Sequence, residues 1–274
     1  MTKFKILFTC CFCFFVVNTS IAQSLDLGRG ELPLTIPSTY SENTATPLII
    51  LLHGFGSSGA RQDAYMGFSR LAERYGFIFI APDGTPSSAN QSRFWNATPA
   101  CCDFSNTNVD DVSYVLNIIN ETKSDYNVDS NRVYLIGHSN GGFMSYQAAY
   151  EHSDIIAALV SLAGASHIDE RDAPDNPVHV LQIHGSADST ISYEGGQNLN
   201  NPYPGALESV SQWASYNGCV SEGAEREIRD LDSGIPGHES AVLLFAQSCR
   251  AGGSSELWTI DGGSHIPALS DTFS

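Results

Sequence analysis

Five short runs of nearly unbroken apolar character, each the length of one strand, set the strongest limit on what this chain can fold into. They are Pro47–His53 (PLIILLH), Phe77–Ala81 (FIFIA), Arg132–Ile136 (RVYLI), Ala158–Leu162 (ALVSL) and His179–His184 (HVLQIH). A strand with one wet face alternates apolar and polar residues, so runs without alternation belong to strands buried on both faces. Helical patterns at about Ala64–Tyr75, Asp111–Tyr126, Gly141–His152 and Ala206–Tyr216 separate or follow them, and runs at Ala241–Ala246 and Leu257–Ile260 supply the last strands. Strands alternating with helices require crossover connections. The expected class is therefore α/β, with a mostly parallel central sheet covered by helices on both faces.

The first 22 residues, MTKFKILFTCCFCFFVVNTSIA, place Lys3 and Lys5 before an apolar run that ends at small residues. This reads as a secretory signal peptide, because the run is about a dozen residues and a spanning helix needs roughly 20. Residues 23–274 are then one domain, expected outside the cytoplasm, extracellular or periplasmic, and without a membrane anchor in the mature form.

In a parallel sheet, chemistry is sought just beyond the carboxyl ends of strands. The segment RVYLIGHSNGGFMSYQAA runs from strand through Gly137-His138-Ser139-Asn140-Gly141 into helix, the context of a nucleophile elbow. Glycines at 137 and 141 let strand and helix approach while Ser139 occupies a strained turn. A hydroxyl is inert at neutral pH without a base, and that base needs a carboxylate to fix its tautomer. His265, in the loop after the last strand, is the expected base. Asp188, three residues past His179–Gly185, is the expected acid, with Asp261 as runner-up. The order Ser, Asp, His is that of α/β-hydrolases. Charge developing on an ester carbonyl oxygen needs two backbone donors already in place, expected from Asn140 and Phe55.

His53 and His184 are expected to satisfy local backbone groups, and His138 to line the pocket at most. Trp95, on a long loop with two adjacent cysteines, suits the acyl pocket and the core equally. Asp110 and Asp111 stand at a helix start and read as caps rather than paired catalytic carboxylates. Without Lys3 and Lys5, 11 Lys and Arg face 30 Asp and Glu, a net charge of −19, which disfavours nucleic acid as a partner. Of the mature cysteines, Cys219 and Cys249 are expected to pair, leaving Cys101 and Cys102 as a vicinal bridge or two free thiols. The lack of CxxC spacing with neighbouring histidines argues against zinc.

With these motifs in hand, the chain resembles the secreted esterases grouped around polyhydroxybutyrate depolymerases and feruloyl or acetylxylan esterases. The likeness covers nearly the whole mature chain, through LLHG, FIFIAPDG, CC followed by VDDVSYV, NRVYLIGHSNGGFMSY, HGSADSTISYEGG, WASYNGC and the terminal GGSH. It implies an α/β-hydrolase fold, Ser139, Asp188 and His265 as a triad, and an oxyanion hole from Phe55 and Asn140. No cofactor or metal is implied. The implied partner is an ester, feruloyl or acetyl on polysaccharide, with a short-chain polyester second. A non-catalytic carbohydrate-binding homologue is expected to lack a triad member, and none is missing. In the family a closing helix follows the histidine loop, so the nine residues after His265 raise the expectation of a shortened C-terminus.

Overall fold

Alternate residues of the run Thr46–Leu52 enter opposite layers: Leu48, Ile50 and Leu52 join the main core, and Leu51, with Ile49 packed beside it, joins a second. A strand dry on both faces belongs in the middle of a sheet. The computed structural model describes residues 24–220, 222–225 and 228–269. The expected signal peptide, residues 1–22, lies outside them, as do the last five residues.

The strands are β1 (Ser24–Asp26), β2 (Glu31–Thr35), β3 (Thr46–Leu52), β4 (Ile78–Ile80), β5 (Thr85–Pro86), β6 (Arg93–Phe94) and β7 (Val128–His138). They continue with β8 (Ala158–Leu162), β9 (His179–Gly185), β10 (Gly195–Asn198), β11 (Asn201–Pro204), β12 (Ala224–Glu225), β13 (Ser240–Phe245) and β14 (Ser254–Ile260). The helices are α1 (Gly59–Met66), α2 (Phe68–Tyr75), α3 (Asp111–Asp125), α4 (Asn140–Glu151) and α5 (Ala206–Tyr216). One sheet takes the order β1-β2-β4-β3-β7-β8-β9-β14-β13-β12. Neighbours from β4 through β14 run parallel, and the outer pairs are antiparallel. Ala72 and Phe68 of α2 cover one face beside Leu51 and Phe79, while Ile118 of α3, Phe143 of α4 and Trp213 of α5 belong to the main core on the other. The mostly parallel sheet with helices on both faces expected from the apolar runs is the one observed, and it is the α/β-hydrolase architecture that the resemblance implies. Among the described residues no helix is long and apolar enough to cross a membrane.

Two local expectations change. The single helix read over Ala64–Tyr75 is two, broken at Gly67, whose φ of 75° lies in the left-handed region. Its N–H closes on the Asp63 carbonyl while the Asp63 side chain accepts the Ser69 N–H at 2.9 Å, ending one helix and starting the next. The β10–β11 hairpin was not legible, because GGQN and NPYP carry no strand pattern. Cys219 is bonded to Cys249, and Cys101 to Cys102, so both pairs are oxidised.

Candidate active site

β7 delivers Ser139 at the C-terminal rim of the sheet with φ 54° and ψ −120°, a conformation that costs a non-glycine residue energy. The surroundings impose it. A side chain at Gly137 would collide with the Gly141 carbonyl, and one at Gly141 with the Leu52 carbonyl of β3. Ser139 N–H donates to Leu162 of β8 at 2.8 Å, and its carbonyl accepts Gly142 N–H at 2.8 Å, opening α4.

Three side chains far apart in sequence meet here. Ser139 Oγ lies 2.9 Å from His265 Nε2, and His265 Nδ1 lies 2.7 Å from Asp188 Oδ2. Asp188 Oδ1 accepts the backbone N–H groups of Thr190 and Ile191 at 2.8 and 3.0 Å. Burial alone would favour its neutral form, but hydrogen bonds from His184, His265 and Thr190 outweigh it and hold the carboxyl far below the usual carboxylate range. Asp261 accepts a hydrogen bond from Ser186 Oγ at 3.1 Å and stands apart from His265's ring partners.

The loop after β3 runs against Ser139, since a Cβ at Gly54 would sit 3.4 Å from Ser139 Cβ. His53 behaves as expected of a local backbone partner: Nδ1–H donates to the Gly54 carbonyl at 2.8 Å and Nε2 accepts Gly84 N–H at 2.9 Å. Burial lowers its pKa, keeping the ring neutral for both bonds. Carbonyl and N–H of one trans peptide point opposite ways, so pinning Gly54 C=O turns Phe55 N–H away from His53. Neither Phe55 N–H nor Asn140 N–H donates to any described backbone or side-chain acceptor.

Two proposed substrate contacts are corrected. Trp95 is fully buried, its indole N–H donating to the His53 carbonyl at 3.0 Å, so it packs in the core and presents no surface to a ligand. Its backbone N–H and C=O pair with the Asn140 side chain at 2.7 and 2.9 Å, binding the loop to the elbow. His138 is buried as well. Its Nε2–H donates to the His265 carbonyl at 2.9 Å, so it supports the histidine loop rather than lining a pocket. Burial pushes its pKa down to about 4, against the opposing effect of that hydrogen bond. Asp110 caps α3 through Ser113 N–H at 2.8 Å, as expected. Asp111 does more: it is buried, paired with Arg29 at 2.6 Å, and accepts Thr85 Oγ1 and Asn96 N–H at 3.0 and 2.6 Å. Exposed apolar surface comes instead from Phe55 and Phe104, whose rings lie 5.3 Å apart.

Residues 38–236 match the phospholipase/carboxylesterase family model, and the chain belongs to that family. It is 30% identical over 84% of its length to a feruloyl esterase B of Piromyces equi, of which it covers 41%. It is 28% identical over 89% of its length to a bifunctional acetylxylan esterase/xylanase of Neocallimastix patriciarum, of which it covers 32%. The chain thus spans less than half the length of either curated relative. In structure, it superposes on an acetyl xylan esterase from Aspergillus awamori with a TM-score of 0.61 at 16% identity, covering 90% of this chain and 94% of that one, a likeness of fold.

Proposed function

We propose that the protein is a carboxylic ester hydrolase working through an acyl-Ser139 intermediate. One observation carries the reading: the line of hydrogen bonds from Ser139 Oγ through both nitrogens of His265 to Asp188. His265 Nε2 takes the hydroxyl proton as Oγ attacks the ester carbonyl, and Asp188 stabilises the resulting imidazolium. The N–H groups of Phe55 and Asn140 receive the charge that develops on the carbonyl oxygen. Collapse of the tetrahedral species expels the alcohol, which takes the proton from His265, and water repeats the sequence to release the acid.

For substrate, we favour feruloyl or acetyl esters of polysaccharide. The named activities of the relatives support this, and the exposed Phe55–Phe104 pair beside an oxyanion donor suits a planar acyl group. Secretion after cleavage near Ala22 fits two disulfides, which persist in oxidising compartments.

Pre-steady-state release of p-nitrophenol from p-nitrophenyl acetate should show a burst equal to the enzyme present. Ser139→Ala should abolish it and lower kcat by roughly 10⁴- to 10⁶-fold. A burst surviving in that variant overturns the mechanism. Methyl ferulate and acetylated xylan should be turned over faster than a polyhydroxybutyrate emulsion; the reverse order overturns the substrate assignment.

A further inference from the structure

We infer that His184 is a positioning residue for the acid of this site, its Nε2–H holding the Asp188 carboxylate in the orientation that His265 requires. The inference rests on reading Ser139, His265 and Asp188 as the triad. His184 lies near the end of β9, 1% exposed, with Nε2 2.8 Å from the Ile191 carbonyl and 3.3 Å from Asp188 Oδ2. The same Oδ2 meets His265 Nδ1 at 2.7 Å. Two imidazoles therefore converge on one carboxylate oxygen while two backbone N–H groups hold the other.

The surroundings of His184 determine which of its nitrogens carries the proton. Its Nδ1 lies 3.0 Å from Gln182 Nε2. That amide is oriented at both ends: Nε2 donates to the Gly164 carbonyl at 2.8 Å, and Oε1 accepts the Tyr146 hydroxyl at 3.0 Å. Gln182 thus presents an N–H, Nδ1 must accept it, and the ring proton sits on Nε2. A proton on Nδ1 would set two donors against each other. The network runs from Tyr146 in the core side of α4, through β9, to the acid.

The 3.3 Å contact to Asp188 Oδ2 is the longer of the two made by Nε2, whose 2.8 Å partner is the Ile191 carbonyl, so its effect is one of aim and charge rather than of bulk stability. A donor near Oδ2 spreads the negative charge that Asp188 presents to His265. Without it, that charge acts on His265 alone, the imidazolium is favoured, and the acid limb of the rate profile moves to higher pH. The other titratable groups facing this cluster are Tyr193, whose ring meets His184 edge-on at 5.8 Å and whose hydroxyl pairs with Thr259 of β14, Tyr146 through Gln182, and His138 beside His265.

The test compares kcat/KM for p-nitrophenyl acetate across pH in the parent chain, His184→Gln and His184→Leu, with rates referred to active sites counted by the burst. Glutamine places an amide nitrogen where Nε2 stood, and leucine fills the space without a donor. The Gln variant should keep the parent's acid limb. The Leu variant should move it to higher pH and lower kcat/KM about tenfold. A Leu variant whose limb superimposes on the parent's overturns the proposal, as do equal shifts in both variants. If the Leu variant does not fold, long-range ¹H–¹⁵N spectra of the parent decide: His184 protonated at Nε2 supports the proposal and at Nδ1 overturns it. Failure of the triad reading itself shows separately, as a burst that survives in Ser139→Ala.

Discussion

The two loops that bring Ser139 and His265 together are held by opposite means. Ser139 is fixed from within, by sterics: Gly137 and Gly141 admit no side chain, and the turn is hydrogen-bonded to β8 and to the start of α4. His265 lies beyond the end of β14, and its loop is tied down by groups from elsewhere. His138 donates to the His265 carbonyl at 2.9 Å and Tyr65 to the Pro267 carbonyl at 2.7 Å. Asp232 accepts Ala268 N–H at 3.1 Å, and Ser233 N–H donates to the Ala268 carbonyl at 2.8 Å. Close-packed backbone has no graded response to an added atom, whereas a loop held by separate polar contacts can lose them one at a time. The Ser139 end should therefore fail abruptly and the His265 end by degrees.

The largest effect belongs to the elbow. Gly141→Ala forces a methyl group onto the Leu52 carbonyl, which should destabilise the chain by about 3 kcal/mol. The same shift misplaces the hydroxyl, and kcat/KM should fall more than about 100-fold. Urea unfolding and steady-state kinetics measure both, and a near-normal variant would break the contrast.

His138 gives the intermediate effect and a pH signature. Folding lowers its pKa from 6.5 to about 4, so unfolding takes up a proton between those values. Stability should decline as pH falls across that window, by up to about 3 kcal/mol in total. Asp188, shifted below its ordinary 3.8, adds its own loss only at still lower pH. His138→Phe should flatten the decline between pH 6.5 and 4 in urea titrations, while lowering kcat/KM because the His265 carbonyl loses its donor. The smallest effect is Tyr65→Phe, which removes one hydrogen bond to the histidine loop. It should cost about 1 kcal/mol and speed amide exchange over residues 263–269.

The same contrast separates what could be read in the sequence from what could not. The elbow announces itself because its constraint is local: a strand pattern, GHSNG and a helix pattern lie side by side. Asp188 and His265 were legible as ends of apolar runs. The supports of His265 were not, because each joins residues distant along the chain; His138 to His265 spans 127 positions and Tyr65 to Pro267 spans 202. Trp95 looked equally suited to ligand and core, and only the fold shows its indole buried against His53. Asp111 looked like its neighbour Asp110, yet Arg29, which it pairs with, arrives from a remote segment. The orienting role of Asn140's side chain had no sequence signal, since the backbone of the same residue already explained its place.

The central claim is that Ser139 owes its reactivity to an imidazole and a carboxylate carried on other strand ends. A fluorophosphonate probe followed by peptide mass spectrometry tests it directly. The account calls for one adduct, on the peptide containing Ser139, formed rapidly by the parent chain and at a greatly reduced rate by His265→Ala. Labelling at another serine, or labelling of Ser139 at an equal rate once His265 is gone, would contradict it.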